Sequence, residues 1–214
     1  MQLTRLRGQL IGAMAFTILV TGAASASAGV VEVAADEHVH HSAAPIASTN
    51  RTAMAYVVPD VSLVRQDGTQ VKLREELSDD RPVVLAFIFT SCNTVCPLTS
   101  HTLSELQTRL GSERASVHLV SVTIDPEQDT PARLRAYAKT FNAGPEWQYY
   151  TGTREASEAV QRAFDVYRGA KMDHSPATLV RPAPGAPWVR IGGFATADQL
   201  YAELPNLATL HAAR

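Results

Sequence analysis

Residues 83–90, Val-Val-Leu-Ala-Phe-Ile-Phe-Thr, form a run with no polar alternation. A strand with one wet face would alternate, so this one must be covered on both faces. Such a strand belongs in a sheet with helices packed on either side. The run ends in Ser91-Cys92-Asn93-Thr94-Val95-Cys96-Pro97, which holds the chain's two cysteines, Cys92 and Cys96. Proline is tolerated only in the first turn of a helix, so a helix must begin between Asn93 and Pro97.

The rest of the chain fits this frame. Val61, Leu63 and Val64, then Asp67-Gly68, then Val71 and Leu73 predict an N-terminal β-hairpin. Leu103, Leu106 and Leu110 follow a helical period after Pro97. Residues 117–124 predict a second buried strand. Thr130-Pro131 supplies an N-cap and a proline at the first helical position, and residues 142–145 stop that helix. Residues 147–150 predict a short strand, and Thr153 caps a helix that runs to Phe164. Residues 177–180 and 189–191 predict a closing strand pair around the turn at 182–187. The capping box Thr196-Ala197-Asp198-Gln199 opens a last helix. The expected architecture is α/β, a mixed central sheet with helices on both faces.

The N-terminus bears on where the thiols meet their chemistry. Arg5 and Arg7 precede an apolar stretch, residues 10–20, and Ala24-Ser25-Ala26 and Ala26-Ser27-Ala28 each fit an A-x-A cleavage site. Residues 1–28 are read as a secretory signal peptide, with a membrane anchor as the alternative. Residues 29–55 read as a flexible tether, in which His38, His40 and His41 cluster without a fold to hold them. Residues 56–214 remain as one domain, exported to an oxidising compartment, periplasmic and either soluble or tethered to the inner membrane. A net charge of −2 without runs of like charge gives no reason to expect nucleic acid as a partner.

Two thiols four residues apart at a strand-to-helix junction can share a metal ion or close into a disulfide. The helix start favours negative charge and lowers thiol pKa values, which promotes thiolate, the form that binds metal and attacks disulfides. Thiolates are soft ligands that select Cu(I) or compete for zinc. A third ligand could come from His101, His118, His174 or His211. His101 is five residues beyond Cys96 and points away from it. His118 sits within a strand, and His211 lies near the C-terminal end, where fraying is expected. His174, in Lys171-Met172-Asp173-His174-Ser175-Pro176, precedes an inner strand at the sheet end that carries the cysteines.

The run Phe87-x-Phe89-Thr90-x-Cys92-x-x-Val95-Cys96-Pro97 resembles the signature of the Sco/SenC family. Residues 121–131, Ser-Val-Thr-Ile-Asp-Pro-Glu-Gln-Asp-Thr-Pro, resemble that family's strand and D-P-x-x-D-T-P turn. Residues 137–141, Thr151-Gly152 and Asp173-His174-Ser175 follow in the same order, and the matches cover about residues 60–207. The resemblance implies a thioredoxin-like fold with Cys92 and Cys96 as thiolate ligands and redox pair, and His174 as third ligand. It implies copper, Cu(I) or Cu(II), and delivery to the dinuclear copper site of cytochrome c oxidase subunit II or another copper protein. It also implies an upstream thiol reductant, and places Asp125 and Asp129 in the turn beside the site, where turn and cap roles account for them equally well. The chain departs from the family pattern at Asn93, where a proline is common. The stretch 167–173 is shorter than usual, and residues 183–187 replace a D-x-D-G turn.

Two further functions compete with a copper chaperone. A thiol–disulfide oxidoreductase would use the same cysteines, and could reduce the oxidised cysteines of the oxidase copper site itself. Its C-x-x-x-C spacing differs from the C-x-x-C of thioredoxins. A thiol peroxidase on this fold would need a Thr-x-x-Cys motif, but Phe89 and Asn93 stand three residues before the two cysteines. A closed structural zinc site would need a fourth ligand.

Overall fold

A computed structural model describes residues 49–207. The strands are β1 (Asn50–Met54), β2 (Ser62–Arg65), β3 (Gln70–Lys72), β4 (Val83–Ile88), β5 (His118–Thr123), β6 (Trp147–Thr151), β7 (Ala177–Arg181) and β8 (Trp188–Gly192). The helices are α1 (Leu73–Glu76), α2 (Val95–Leu110), α3 (Pro131–Thr140), α4 (Arg154–Ala163) and α5 (Ala197–Ala202). One eight-stranded sheet runs in the order β1-β8-β7-β4-β5-β6-β2-β3. β4, β5 and β6 are parallel, while β7 joins β4 antiparallel.

The uninterrupted apolar run has the predicted cause. Val84, Ala86 and Ile88 of β4 pack with Leu103, Leu106 and Leu110 of α2, Leu134 of α3 and Leu200 of α5. Val83, Leu85 and Phe87, the alternate residues, pack with Leu73 of α1 and with Val160 and Phe164 at α4. The side-chain period of two sends successive residues to opposite faces, and helices cover both.

Local signals also act where expected. Thr130 Oγ1 accepts from Arg133 N at 3.3 Å, and Thr153 Oγ1 accepts from Ala156 N at 3.1 Å. Thr196 and Gln199 close their reciprocal capping box. Gly68 takes a φ of +93° in the β2–β3 turn, a conformation glycine adopts without a Cβ penalty. Asn142 ends α3 at a φ of +52°.

One boundary needs correction. Residues 50–54, assigned from sequence to the tether 29–55, form β1, which pairs antiparallel with β8 from Asn50↔Gly192 to Met54↔Trp188. Asn50–Met54 is mostly exposed and has no apolar alternation, so backbone hydrogen bonding to an open sheet edge holds it, and composition does not reveal that. The expected signal segment 1–28, the rest of the tether with its three histidines, and His211 lie outside the described residues. Among the described residues no helix is long and apolar enough to cross a membrane.

His118 is a core residue. It is 2% exposed in β5, and Tyr150 Oη lies 3.3 Å from its Nε2. Burial, reinforced by the Arg81 charge, pulls its pKa down to about 4. In the unfolded chain a histidine titrates near pH 6.5, so between these values the unfolded state holds more protons and stability rises with pH. Stability is complete above about pH 6.5, and about 3 kcal/mol is lost as pH falls to 4. Urea unfolding at pH 7 and pH 4.5 measures this, and His118→Gln should flatten the difference. An equal drop in the variant would assign the effect elsewhere.

Candidate metal centre

The site is built from the ends of two parallel strands. Asp129, fully buried in the turn after β5, accepts from Thr90 N at 3.0 Å and from Thr90 Oγ1 and Thr123 Oγ1, each at 2.5 Å. One carboxylate thereby ties the residue that opens the cysteine loop to the end of β5. Cys92 N then donates to the Phe89 carbonyl at 3.2 Å, which folds the loop back. Cys96 is the second residue of α2, and its N–H donates to Cys92 Sγ at 3.4 Å. Thr94, at the N-cap position, makes no side-chain capping bond, so the Cys92 sulfur serves an otherwise orphaned helix N–H. Pro97 follows within the first turn, where its missing N–H costs nothing.

The two thiols are not equivalent, which corrects the expectation that the helix start lowers both. Cys92 is half-buried and Cys96 is wholly buried. Burial pushes the Cys92 thiol up. Hydrogen bonds from the N–H groups of Cys96 and Thr94 and from their side chains outweigh it, and the net shift is downward. Burial dominates at Cys96 and drives its thiol far above the ordinary range, helped by its hydrogen bond to Cys92. Of the pair, Cys92 is the readier to ionise, and Cys96 stays protonated. Tyr137, hydrogen-bonded to Ser100 Oγ at 3.0 Å, is held neutral nearby, mainly by burial.

His174 arrives from the other side of β4. It follows a 3-10 turn at Lys171–Asp173 and precedes β7, whose pairing with β4 (Ala86↔Thr178) brings it to the same sheet end. Its ring is mostly buried. Burial lowers its pKa, and the hydrogen bond to the Phe87 carbonyl opposes this only in part, so the imidazole is neutral at pH 7. Nδ1 is buried without a hydrogen-bond partner. A neutral imidazole with a free lone pair is the form that binds metals.

Cys92 and His174 line one cavity of about 150 Å³, together with Thr94, Lys171 and Met172. Cys96 is not on its wall. Among the described residues no three of His, Cys, Asp and Glu stand together around one point, so the Cys92, Cys96 and His174 set is not closed. Closing it requires the 171–174 segment to approach the cysteine loop. The donors present are suited to a soft ion: a thiolate, a second thiol in contact with it, and an unpartnered imidazole nitrogen.

The other candidates fall away from this cavity. His101 is exposed on α2 and stacks edge-on to Phe141 at 5.4 Å. Asp125 pairs with Lys171 Nζ at 2.5 Å, joining the β5–α3 turn to the histidine segment, and Lys171 also sits 5.6 Å from the Phe89 ring centroid. Sequence reasoning passed over Lys171 and Met172 beside His174, because nothing in a linear pattern shows which loop side chains reach a common cavity.

Fold and site together define a thioredoxin-like dithiol protein with a histidine set beside its cysteine pair. A family model described as SCO1/SenC matches residues 49–208, and the chain belongs to that family. The SCO1 protein homolog of Bacillus subtilis is 38% identical over 100 residues, covering 45% of this chain and 50% of that protein. A SCO2-like protein of Rickettsia felis is 29% identical over 136 residues, covering 59% and 64%. The chain therefore spans about half of the first relative and under two thirds of the second. Among solved structures, BsSco, a Sco-family cytochrome c oxidase assembly protein with an identified disulfide switch, aligns with a TM-score of 0.62 at 25% identity, covering 74% of this chain and 97% of that one. Copper-bound ScoI of Arabidopsis thaliana aligns at 0.59 and 25%, covering 73% and 99%.

Proposed function

We propose that this protein carries copper through Cys92, Cys96 and His174 to the dinuclear copper site of cytochrome c oxidase subunit II during assembly of the respiratory complex. The observation that carries this reading is the buried, unpartnered Nδ1 of His174, on a residue lining the same cavity as the Cys92 thiolate. Leaving a buried polar atom unbonded costs about 1–3 kcal/mol; core residue His118 also has such an Nδ1, but His174 lines the cavity of a cysteine thiol, where a bound ion would satisfy it. Copper-bound relatives and the oxidase-assembly role of BsSco support it. Cys92 is the thiol that ionises more readily. Cys96 must release its proton to the solvent as it joins, so uptake is pH-dependent. Handover proceeds by exchange with softer or more numerous thiolates on the recipient. The sequence signal at 1–28 puts this chemistry outside the cytoplasm, where an upstream thiol reductant keeps the pair reduced.

Anaerobic Cu(I) titration against a competing chelator tests the reading. The wild type should bind one equivalent, and Cys92→Ser, Cys96→Ser and His174→Ala should each bind at least about tenfold more weakly, a difference of ~1.4 kcal/mol. Wild-type binding no tighter than the variants would sink it.

The thiol asymmetry favours a second reading, a thiol–disulfide oxidoreductase. Cys92 thiolate would attack a partner disulfide, forming a mixed disulfide and releasing one partner thiolate. Cys96, after losing its proton to the solvent, would attack Cys92 Sγ and release the other. The partner gains two electrons and this protein is left with a Cys92–Cys96 disulfide. His174→Ala separates the readings, since it should remove copper binding and spare dithiol exchange.

A further inference from the structure

We propose that Met172 is an additional copper ligand in this chain, a thioether at the mouth of the cavity shared by Cys92 and His174, and that it biases the site toward Cu(I). The inference rests on the copper reading above. Met172 is one of four large apolar side chains exposed among the described residues, at 77%, and it lines the Cys92–His174 cavity. A position that makes no core contact yet borders a thiolate suits a ligand better than a packing residue.

The backbone on either side holds Met172 there. Lys171 is anchored by its 2.5 Å ion pair with Asp125 and by the Phe89 ring. Asp173 N donates to the Ala170 carbonyl at 3.0 Å and His174 N to the Lys171 carbonyl at 3.3 Å, closing the 3-10 turn. Beyond it the His174 ring is buried and bonded to the Phe87 carbonyl. Met172 thus sits between two fixed points, and its three flexible torsions let Sδ sweep the cavity mouth. Cys92, Met172 and His174 together give two sulfurs and one nitrogen around one space, on whose wall Cys96 does not lie. Thioether sulfur is soft and uncharged. It adds affinity for Cu(I) and little for Cu(II), which prefers harder nitrogen and oxygen donors.

Met172→Leu removes the sulfur and keeps the volume at an exposed position, so folding is not at stake. The full exported protein, wild type and variant, is titrated with Cu(I) and separately with Cu(II), and X-ray absorption counts the sulfur neighbours of Cu(I). The variant should bind Cu(I) about tenfold more weakly, bind Cu(II) unchanged, and show one sulfur neighbour fewer. Equal Cu(I) affinity and an equal sulfur count in Met172→Leu, with Cys92→Ser still impaired, would overturn the ligand role and leave the copper reading standing. A wild type that binds no Cu(I) would overturn both.

Discussion

Iodoacetamide should label Cys92 at least about a thousandfold faster than Cys96 in the folded, reduced protein at pH 7. The two thiols are displaced in opposite directions, Cys92 below the ordinary range by four hydrogen bonds that outweigh its burial and Cys96 well above it by burial. Thiolate fraction at a fixed pH changes tenfold for each unit of pKa. Intrinsic nucleophilicity falls with pKa only to about the half power, so the lower-pKa thiol wins. Access acts in the same direction, because Cys96 is wholly buried and can react only after a local opening. The rate at Cys92 should rise with pH to a midpoint below that of the same thiol in the unfolded chain. Peptide mapping after timed quenching reads both sites at once, and comparable labelling of the two would remove the basis for assigning Cys92 the first attack or the first metal contact.

Asp129→Ala should destabilise the fold by about 3–5 kcal/mol. The carboxylate is fully buried and accepts from Thr90 N, Thr90 Oγ1 and Thr123 Oγ1. Each hydrogen bond to a charged group contributes about 1.5–3 kcal/mol, and its loss strands a buried donor. Relief of the carboxylate's own desolvation offsets part of that sum. Asp129→Asn keeps the volume but turns one acceptor into a donor aimed at donors, so it should cost less than alanine and more than zero. Denaturant unfolding at pH 7 measures both. Since Thr90 opens the cysteine loop, Cys96 in Asp129→Ala should also become easier to alkylate. A variant within about 0.5 kcal/mol of wild type would show the network to be dispensable.

What could be read from sequence was what depends on neighbours along the chain. Thr130, Thr153 and Thr196 cap their helices because the donors they satisfy lie three residues away. Asp67-Gly68 makes its turn because only local φ and ψ matter. β1 escaped notice because an edge strand held by its backbone leaves no mark on side-chain pattern. Asp129 could be placed in a turn, but its partner Thr90 is 39 positions away, so its role in fixing the cysteine loop was invisible.

The sequence alone determined a doubly covered sheet, through the unbroken apolar run at 83–90, and a reactive thiol pair at a helix start, through Cys92, Cys96 and Pro97. Both follow from period and covalent geometry, which are local. The tertiary structure decided how the pair divides its roles, because burial is a property of the packed chain. With α2 packed against β4, Cys96 is shut away from water and stays protonated, while Cys92 keeps the hydrogen bonds that favour thiolate. It also puts His174 on the wall of the cavity that Cys92 lines, since the pairing of β7 with β4 brings that segment to the same sheet end. The same pairing leaves Met172 at the cavity mouth, where a linear reading had no reason to look.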